Sequence, residues 1–343
     1  MMPTQHQAAT SIASFFERSD IFHVVFRPRF DAQCLEFWET GAYPDPHWLA
    51  TYLAVMGVGL LAMDDEASTS CLMPTGDGRD LLARSWLENS LQALTLGDFL
   101  KHPSVESVRA VVILNQFWAT WEAGHHLQSA ISFNTSVIAA AYDIQLHLDP
   151  DGLSSQPFTP LGAEERRRVW WAMVTVDSLA RTFLGKTYSP LLEPCATSTR
   201  LPSHLPDEAF TSSGDFDFSF NPSSGSRSMA LVNTIHSLTL LHHKISHLVL
   251  SSPSSDQIMR HHEELQVIDV EHHSSYLPEK NTSEDFSPRS TMSSIVRALL
   301  SLAFVRLHRS PTSQTTSTSD LAWHRALCRQ HCGDFNFRLS DST

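Results

Sequence analysis

"ERRRVWWAMVTVD", residues 165–177, sets three arginines against two tryptophans. It admits two readings: a basic aromatic patch that grips nucleic acid, or a helix whose arginines anchor it at the edge of a buried core. At 3.6 residues per turn, Val169, Met173, Val176, Ala180 and Phe183 share one face, and Trp170, Val174 and Leu184 broaden it beyond a narrow seam. Such a helix is central to its fold. Neighbouring helical residues point about 100° apart, so Trp170 and Trp171 cannot form one stacking platform, and no basic strip continues the surface. Arg166, Arg167 and Arg168 face the positive end of the helix macrodipole, which Glu164 and Glu165 only partly offset. The arginines therefore call for acidic or carbonyl partners elsewhere. Glu164 stands four residues before Arg168, and Asp177 four before Arg181, the spacing of structural ion pairs.

Bulk composition narrows the function. The 343 residues are 42% apolar, enough for one large or two ordinary domains with a substantial core. Twenty-four basic against 37 acidic residues leave a net charge of −13, which repels phosphate backbones. Cys34, Cys71, Cys195, Cys328 and Cys332 are odd in number and mostly scattered, fitting a reducing compartment. The opening "MMPTQHQAATSIASFF" has no secretory pattern. "WLATYLAVMGVGLLAM", 48–63, is too short and too interrupted by Thr51, Gly57 and Gly59 to span a membrane, and reads as a buried helix.

Three- and four-residue apolar spacing dominates and sustained alternation is rare, so the chain reads as all-α. The signals place helices at 31–39, 46–63, 79–96, 104–122, 126–146 and 163–185, then 229–250, 256–274, 291–309 and 319–332. Pro103 and Ser104 open one of them, and Asp149-Pro150 closes the next. Between the two sets lie a Pro-rich stretch, 189–206, and the Ser/Gly/Asn-rich "TSSGDFDFSFNPSSGSRS", 211–228. No repeat of fixed period appears, which favours an irregular helical array over a solenoid.

The motif helix also carries a resemblance. "EERRRVWWAMVTVDSLARTFLGK" followed by "TRLPSHLPDE" resembles the middle homology region of fungal zinc-cluster transcription factors: an acidic-basic run, Trp, an Asp in the helix, Leu-Gly-Arg-Pro and a later Leu-Pro. The matching positions are Arg166, Arg167, Arg168, Trp170, Trp171, Asp177, Leu184-Gly185 and Leu201-Pro202. "FFERSDIFHVVFRPRF", 15–30, looks like the region's entry segment, and "AAAYDIQLHLDP", 139–150, like its Ala-x-x-Leu-Gly-Leu-His-Arg-Asp-Pro helix end. Phe26 departs from the usual His, Gln145 from Gly, Leu148 from Arg and Thr187 from Pro. A Gln in the left-handed cap position carries a cost of about 1 kcal/mol.

The resemblance implies a multi-helix regulatory domain, no enzymatic activity, nuclear localisation and contacts with the transcription machinery or partner regulators, with a small-molecule effector in some members. The family reads DNA through six paired cysteines holding two zinc ions. No such array occurs in these residues, so the resemblance implies no cofactor in this chain and DNA contact only through a missing or separate module. Two accounts stay open: a regulator parted from its DNA reader, or one acting through a partner. The expected organisation is a disordered N-terminus at 1–14, a regulatory core at 15–210, a flexible linker at 211–228, and 229–343 as the C-terminal helical part of the same domain.

Other constellations have plainer readings. His243 with His247, and His262 with Asp269 and His273, fall at metal-compatible spacing, but no di-iron ligand set can be assembled and solvated helix faces account for them. Cys328 and Cys332 with His324 and His331 form a similar surface cluster. No nucleophile elbow or phosphate loop is present; "PTGDGRDLL", 74–82, is a loop leading into a helix. Trp38, Trp48, Trp86, Trp118, Trp121, Trp170 and Trp171 are assigned to the core. The competing reading is a small-molecule-binding or scaffold protein without a transcriptional role, followed by a helical metal enzyme.

Overall fold

The computed structural model describes residues 3–43, 45–120, 127–153, 158–183, 197–211, 214–217, 227–251, 253–276, 288–309, 322 and 324–329. Their regular structure is helical, with only an isolated antiparallel bridge between Phe210 and Phe216. In chain order the helices are α1 (Gln5–Arg18), α2 (Arg27–Thr40), α3 (Pro46–Ala62), α4 (Asp65–Ser70), α5 (Gly76–Leu96), α6 (Val105–Thr120), α7 (Leu127–Asp143), α8 (Pro160–Phe183), α9 (Arg227–Leu250), α10 (Ser255–Tyr276) and α11 (Pro288–Arg309). The all-α reading holds. No helix among the described residues is long and apolar enough to cross a membrane.

The chain divides into two compact units, Met1–Ala230 and Leu231–Thr343. In the first, α3 packs against α1, α5 and α6. Apolar around its whole circumference, α3 is buried along nearly all its length, as such a helix must be in water. Its two glycines are contact points. A Cβ on Gly59 would strike the Ser11 carbonyl of α1, and one on Gly57 would lie 2.7 Å from Leu87 of α5. The residues that interrupt the apolar run at 48–63 thus let two neighbouring helices approach.

α1 corrects the expectation of a disordered N-terminus at 1–14. Thr4 and Gln7 form a reciprocal capping box that satisfies exposed amides of the first turn. Ala8, Ile12 and Phe15, at four- and three-residue spacing, bury one face. The Gln7 side chain also donates to the carbonyl of Leu72 at 3.2 Å. Part of the expected flexible linker at 211–228 is likewise fixed. The Leu161 amide, in the first turn of α8, donates to the Gly214 carbonyl at 2.9 Å, and Phe216 stacks on Phe210, which meets Phe26 edge-on. Residues 212, 213 and 218–226 of that span lie outside the described residues.

α6, α7 and α8 pack against one another and extend the core. Ser104 caps α6 by accepting from the Ser107 amide at 3.1 Å. α7 ends in a left-handed residue, Gln145 at φ 59°, and the Leu146 amide reaches back to the Ala141 carbonyl at 3.0 Å. That is a Schellman closure, with Gln at the position glycine usually fills. In the second unit α10 packs on α11.

Candidate functional site

The arginines of α8 radiate into four separate anchorages. Arg166 donates to the Ile144 carbonyl at the end of α7 (2.6 Å) and lies over the Phe158 ring. Arg167 forms a fork on Asp149, with Nε and Nη2 at 3.1 and 2.9 Å. Arg200 reaches the same carboxylate through its amide and guanidinium. Burial would raise the Asp149 carboxyl, but hydrogen bonds from Arg167 and Arg200 outweigh it and hold the group well below the usual carboxylate range.

Arg168 is the deepest, only 2% exposed. Its Nε donates to Glu164 at 3.0 Å, Nη1 to Asp207 at 2.6 Å, and Nη2 to the Leu205 carbonyl at 3.0 Å. Glu164 also accepts from the Ser203 amide, and Asp207 from the Arg27 amide in the first turn of α2. One guanidinium therefore fastens the extended segment 197–210 to α8 and, through Asp207, to α2. Burial opposes its charge, yet Asp207 and Glu164 hold it ionised.

Around it lies a second tier. Glu165 pairs with Arg29 (2.7 Å) and with the buried Arg109 (3.2 Å), which also holds Glu106. Asp20 is buried beside this network. Burial first, and then the charge of Asp207, push its carboxyl up to about 8, so it is mostly protonated at neutral pH. His23, in the left-handed region at φ 49°, places Nδ1 3.7 Å from Asp20 and is pushed down to about 4 by burial and by Arg168.

The tryptophans face inward. Trp170 is fully buried against Tyr142 and His147, and Trp171 donates its indole N–H to the Arg200 carbonyl at 2.8 Å. Asp177 accepts from Arg181 (2.8 Å) and Asn134 (3.1 Å), and Asn134 in turn accepts from Asn115, so a polar thread joins α8, α7 and α6. Pro202 is buried and Leu201 half-buried; Gly185, with Leu184 and Thr187, lies outside the described residues. Arginines matched by carboxylates and carbonyls, beside enclosed indoles, make neither a cationic groove nor a stacking platform for nucleic acid. The arrangement clamps segments of chain.

A family comparison covers the stretch that holds these residues. The model of the fungal specific transcription factor domain matches residues 12–277. The chain belongs to this family. It also resembles an uncharacterized transcriptional regulatory protein of Schizosaccharomyces pombe, 26% identical over 208 residues, which are 60% of this chain and 32% of that protein. The chain thus spans about a third of the length of the curated relative it matches. The family match begins within α1 and crosses from the first unit into the second.

Spacing pointed to Glu164–Arg168 and Asp177–Arg181, but not to Asp20, Arg29, Arg109 or Asp207. Arg109 did leave a signal, a lone charge in the apolar run "VRAVVIL". The histidines of the second unit are arranged differently from their sequence spacing. His243 is buried whereas His247 is exposed. His262 Nδ1 meets His308 Nε2 at 2.9 Å, and His308 Nδ1 meets His324 Nδ1 at 2.8 Å. His308 uses opposite edges of its ring, so the three imidazoles form a row and not a cage around one point. No group of three metal-binding side chains is found among the described residues. The side chain of His273, His331, Cys195 and Cys332 lie outside them.

Proposed function

We propose that this chain is the helical regulatory part of a fungal transcription factor, working in the nucleus through contacts with the transcription machinery or partner regulators. The observation that carries the reading is the family match over residues 12–277. Because that match crosses the boundary between the units and reaches residue 277, it supports treating 229–277 as part of the same regulatory domain, and the reading extends that domain over 229–343. The reading assigns these residues no metal, cofactor or enzymatic role, and leaves DNA recognition to a zinc-cluster module outside them. Regulation then requires an effector or partner that binds one helical packing better than another, since equal affinity shifts no equilibrium.

The test is to fuse the chain to an unrelated DNA-binding module and follow a reporter across growth conditions. Reporter output is expected to differ from that of the module alone in at least one condition. Output indistinguishable from the bare module in all of them would remove the regulatory role.

A further inference from the structure

Three guanidiniums of the first unit, Arg29, Arg109 and Arg168, already share four carboxylates, Glu106, Glu164, Glu165 and Asp207. Asp20 is a fifth carboxyl beside this set, only 4% exposed. Every nitrogen of Arg168 is occupied: Nε by Glu164, Nη1 by Asp207 and the His23 carbonyl, and Nη2 by the Leu205 carbonyl. Among the described residues Asp20 pairs with no arginine, and His23 Nδ1, 3.7 Å away, belongs to a ring that burial keeps neutral. The amides of Val24 and His23, from its own turn, donate to it. Of the charged groups that face it, Asp207 opposes its ionisation, whereas Arg168 of α8 and Arg109 of α6 favour it but are committed to other carboxylates. A carboxyl withdrawn from water, with no cation of its own and beside surplus negative charge, keeps its proton.

The elements around Asp20 differ in how firmly they are built in. α6 and α8 are long helices packed against each other in the core, whereas segment 197–210 holds only the single helical turn Asp207–Ala209. Near Asp20 that segment is fastened by polar bonds: the Ser203 amide on Glu164 at 3.0 Å, the Leu205 carbonyl and Asp207 on Arg168 at 3.0 and 2.6 Å, and Asp207 on the Arg27 amide at 3.1 Å. Its firmest apolar anchor, Ala209 and Phe210 against Phe26 and Leu161, lies beyond Asp207 and serves as a hinge. Such a segment opens before the helices beneath it. A negative charge on Asp20 would have no counterpart in the fastened state and would repel Asp207; opening gives both carboxylates to water.

We propose that Asp20 is a proton-controlled latch on segment 197–210. With its proton in place the segment stays fastened to α8 and, through Asp207, to α2. Loss of the proton to solvent releases residues 203–207. That the latch serves regulation rests on the regulatory reading above; the latch itself does not.

Native-state hydrogen exchange on the purified full chain tests it, read at the amides of Ser203 and Arg27 and corrected for the intrinsic rate. Burial and Asp207 hold the fastened Asp20 at about 8, and opening returns it to its ordinary 3.8, so each opening between those values releases one proton. The open population then rises with pH by up to about tenfold per unit. His23 acts in the opposite sense only below its ordinary value of 6.5, so the interval from 6.5 to 8 isolates Asp20. Protection of both amides should fall by about tenfold across that interval in the parent. It should stay level in Asp20→Asn, which has no proton to lose, and Glu17→Gln, at an exposed carboxylate of α1, should follow the parent. Circular dichroism shows whether the variants keep their helices. Infrared spectra of the parent need no substitution: the carbonyl band of a protonated aspartic acid should be present at pH 6.5 and fade in step with protection. Protection that is level in the parent, an equal fall in Asp20→Asn, or the absence of that band overturns the latch. None of these readouts involves transcription, so a silent reporter fusion and a failed latch are separate outcomes.

Discussion

The two units bury polarity by opposite means. The first sinks charges and pairs them: Arg168 with Glu164 and Asp207, Arg109 with Glu106 and Glu165, Arg181 with Asp177. The second sinks imidazoles. His236, His242, His243, His262, His272, His308 and His324 are all buried, and the ion pair His261–Glu264 lies at the surface, with its carboxylate about half exposed. A paired charge is nearly indifferent to pH across the neutral range but intolerant of losing its partner. A neutral imidazole tolerates its surroundings until the solution is acid enough to protonate it on unfolding. The contrast teaches that one helical chain contains two kinds of fragility.

The largest effect should come from breaking a charge set. Arg168→Met leaves Glu164 and Asp207 without their cation, and removing one member of a buried pair costs about 3–5 kcal/mol. Chemical denaturation followed by tryptophan fluorescence should show a correspondingly earlier transition, because Trp170 and Trp171 lie in the same helix. A transition within experimental error of the parent would mean that the clamp carries no stability.

An intermediate effect should follow acidification. Burial lowers His236 to about 3 and His242 to about 3, below the ordinary value of 6.5. A histidine lowered in the folded state contributes stability that is present above its unfolded value and is lost as pH falls from 6.5 toward 3. In the first unit His23 has the same sign, but Asp20 beside it has the opposite one, so the two offset. Hydrogen exchange, corrected for the intrinsic rate, should therefore show α9 losing protection between about pH 7 and about pH 5, while α8 keeps its own. Equal loss in both helices would erase the distinction between the units.

The smallest effect concerns Asp20. Its raised folded value means a contribution fully present below 3.8 and lost as pH rises toward about 8. Asp20→Asn removes the need to hold a proton, but the amide brings N–H groups that must themselves be satisfied, so the net gain should be about 1 kcal/mol at neutral pH. Unfolding curves of the two proteins should converge near pH 4 and separate on the alkaline side. A gap that widens toward acid would reverse the sign and rule out a protonated Asp20.

Legibility in the sequence followed distance along the chain. The helices, the Ser104 cap, the left-handed Gln145 and the Glu164–Arg168 pair all depend on residues within about one turn, and their spacing announces them. The order of α1 was announced as well, by Thr4 and Gln7 at capping-box spacing before Ala8, Ile12 and Phe15, but a terminal position obscured it. Gly59 was visible only as an interruption; that it admits the backbone of α1 depends on a partner 48 residues away. The row His262–His308–His324 joins α10, α11 and the segment 324–329, whose separate spacings suggested other groupings.

What the sequence determined by itself was the period: 3.6 residues per turn decides which side of α8 is apolar and which neighbours meet, because backbone geometry alone imposes it. Only the tertiary structure decided that Asp207 neutralises Arg168 and that Glu165 serves both Arg29 and Arg109. Those outcomes join residues tens to well over a hundred positions apart. They are settled by which surfaces pack together, a choice no local spacing encodes.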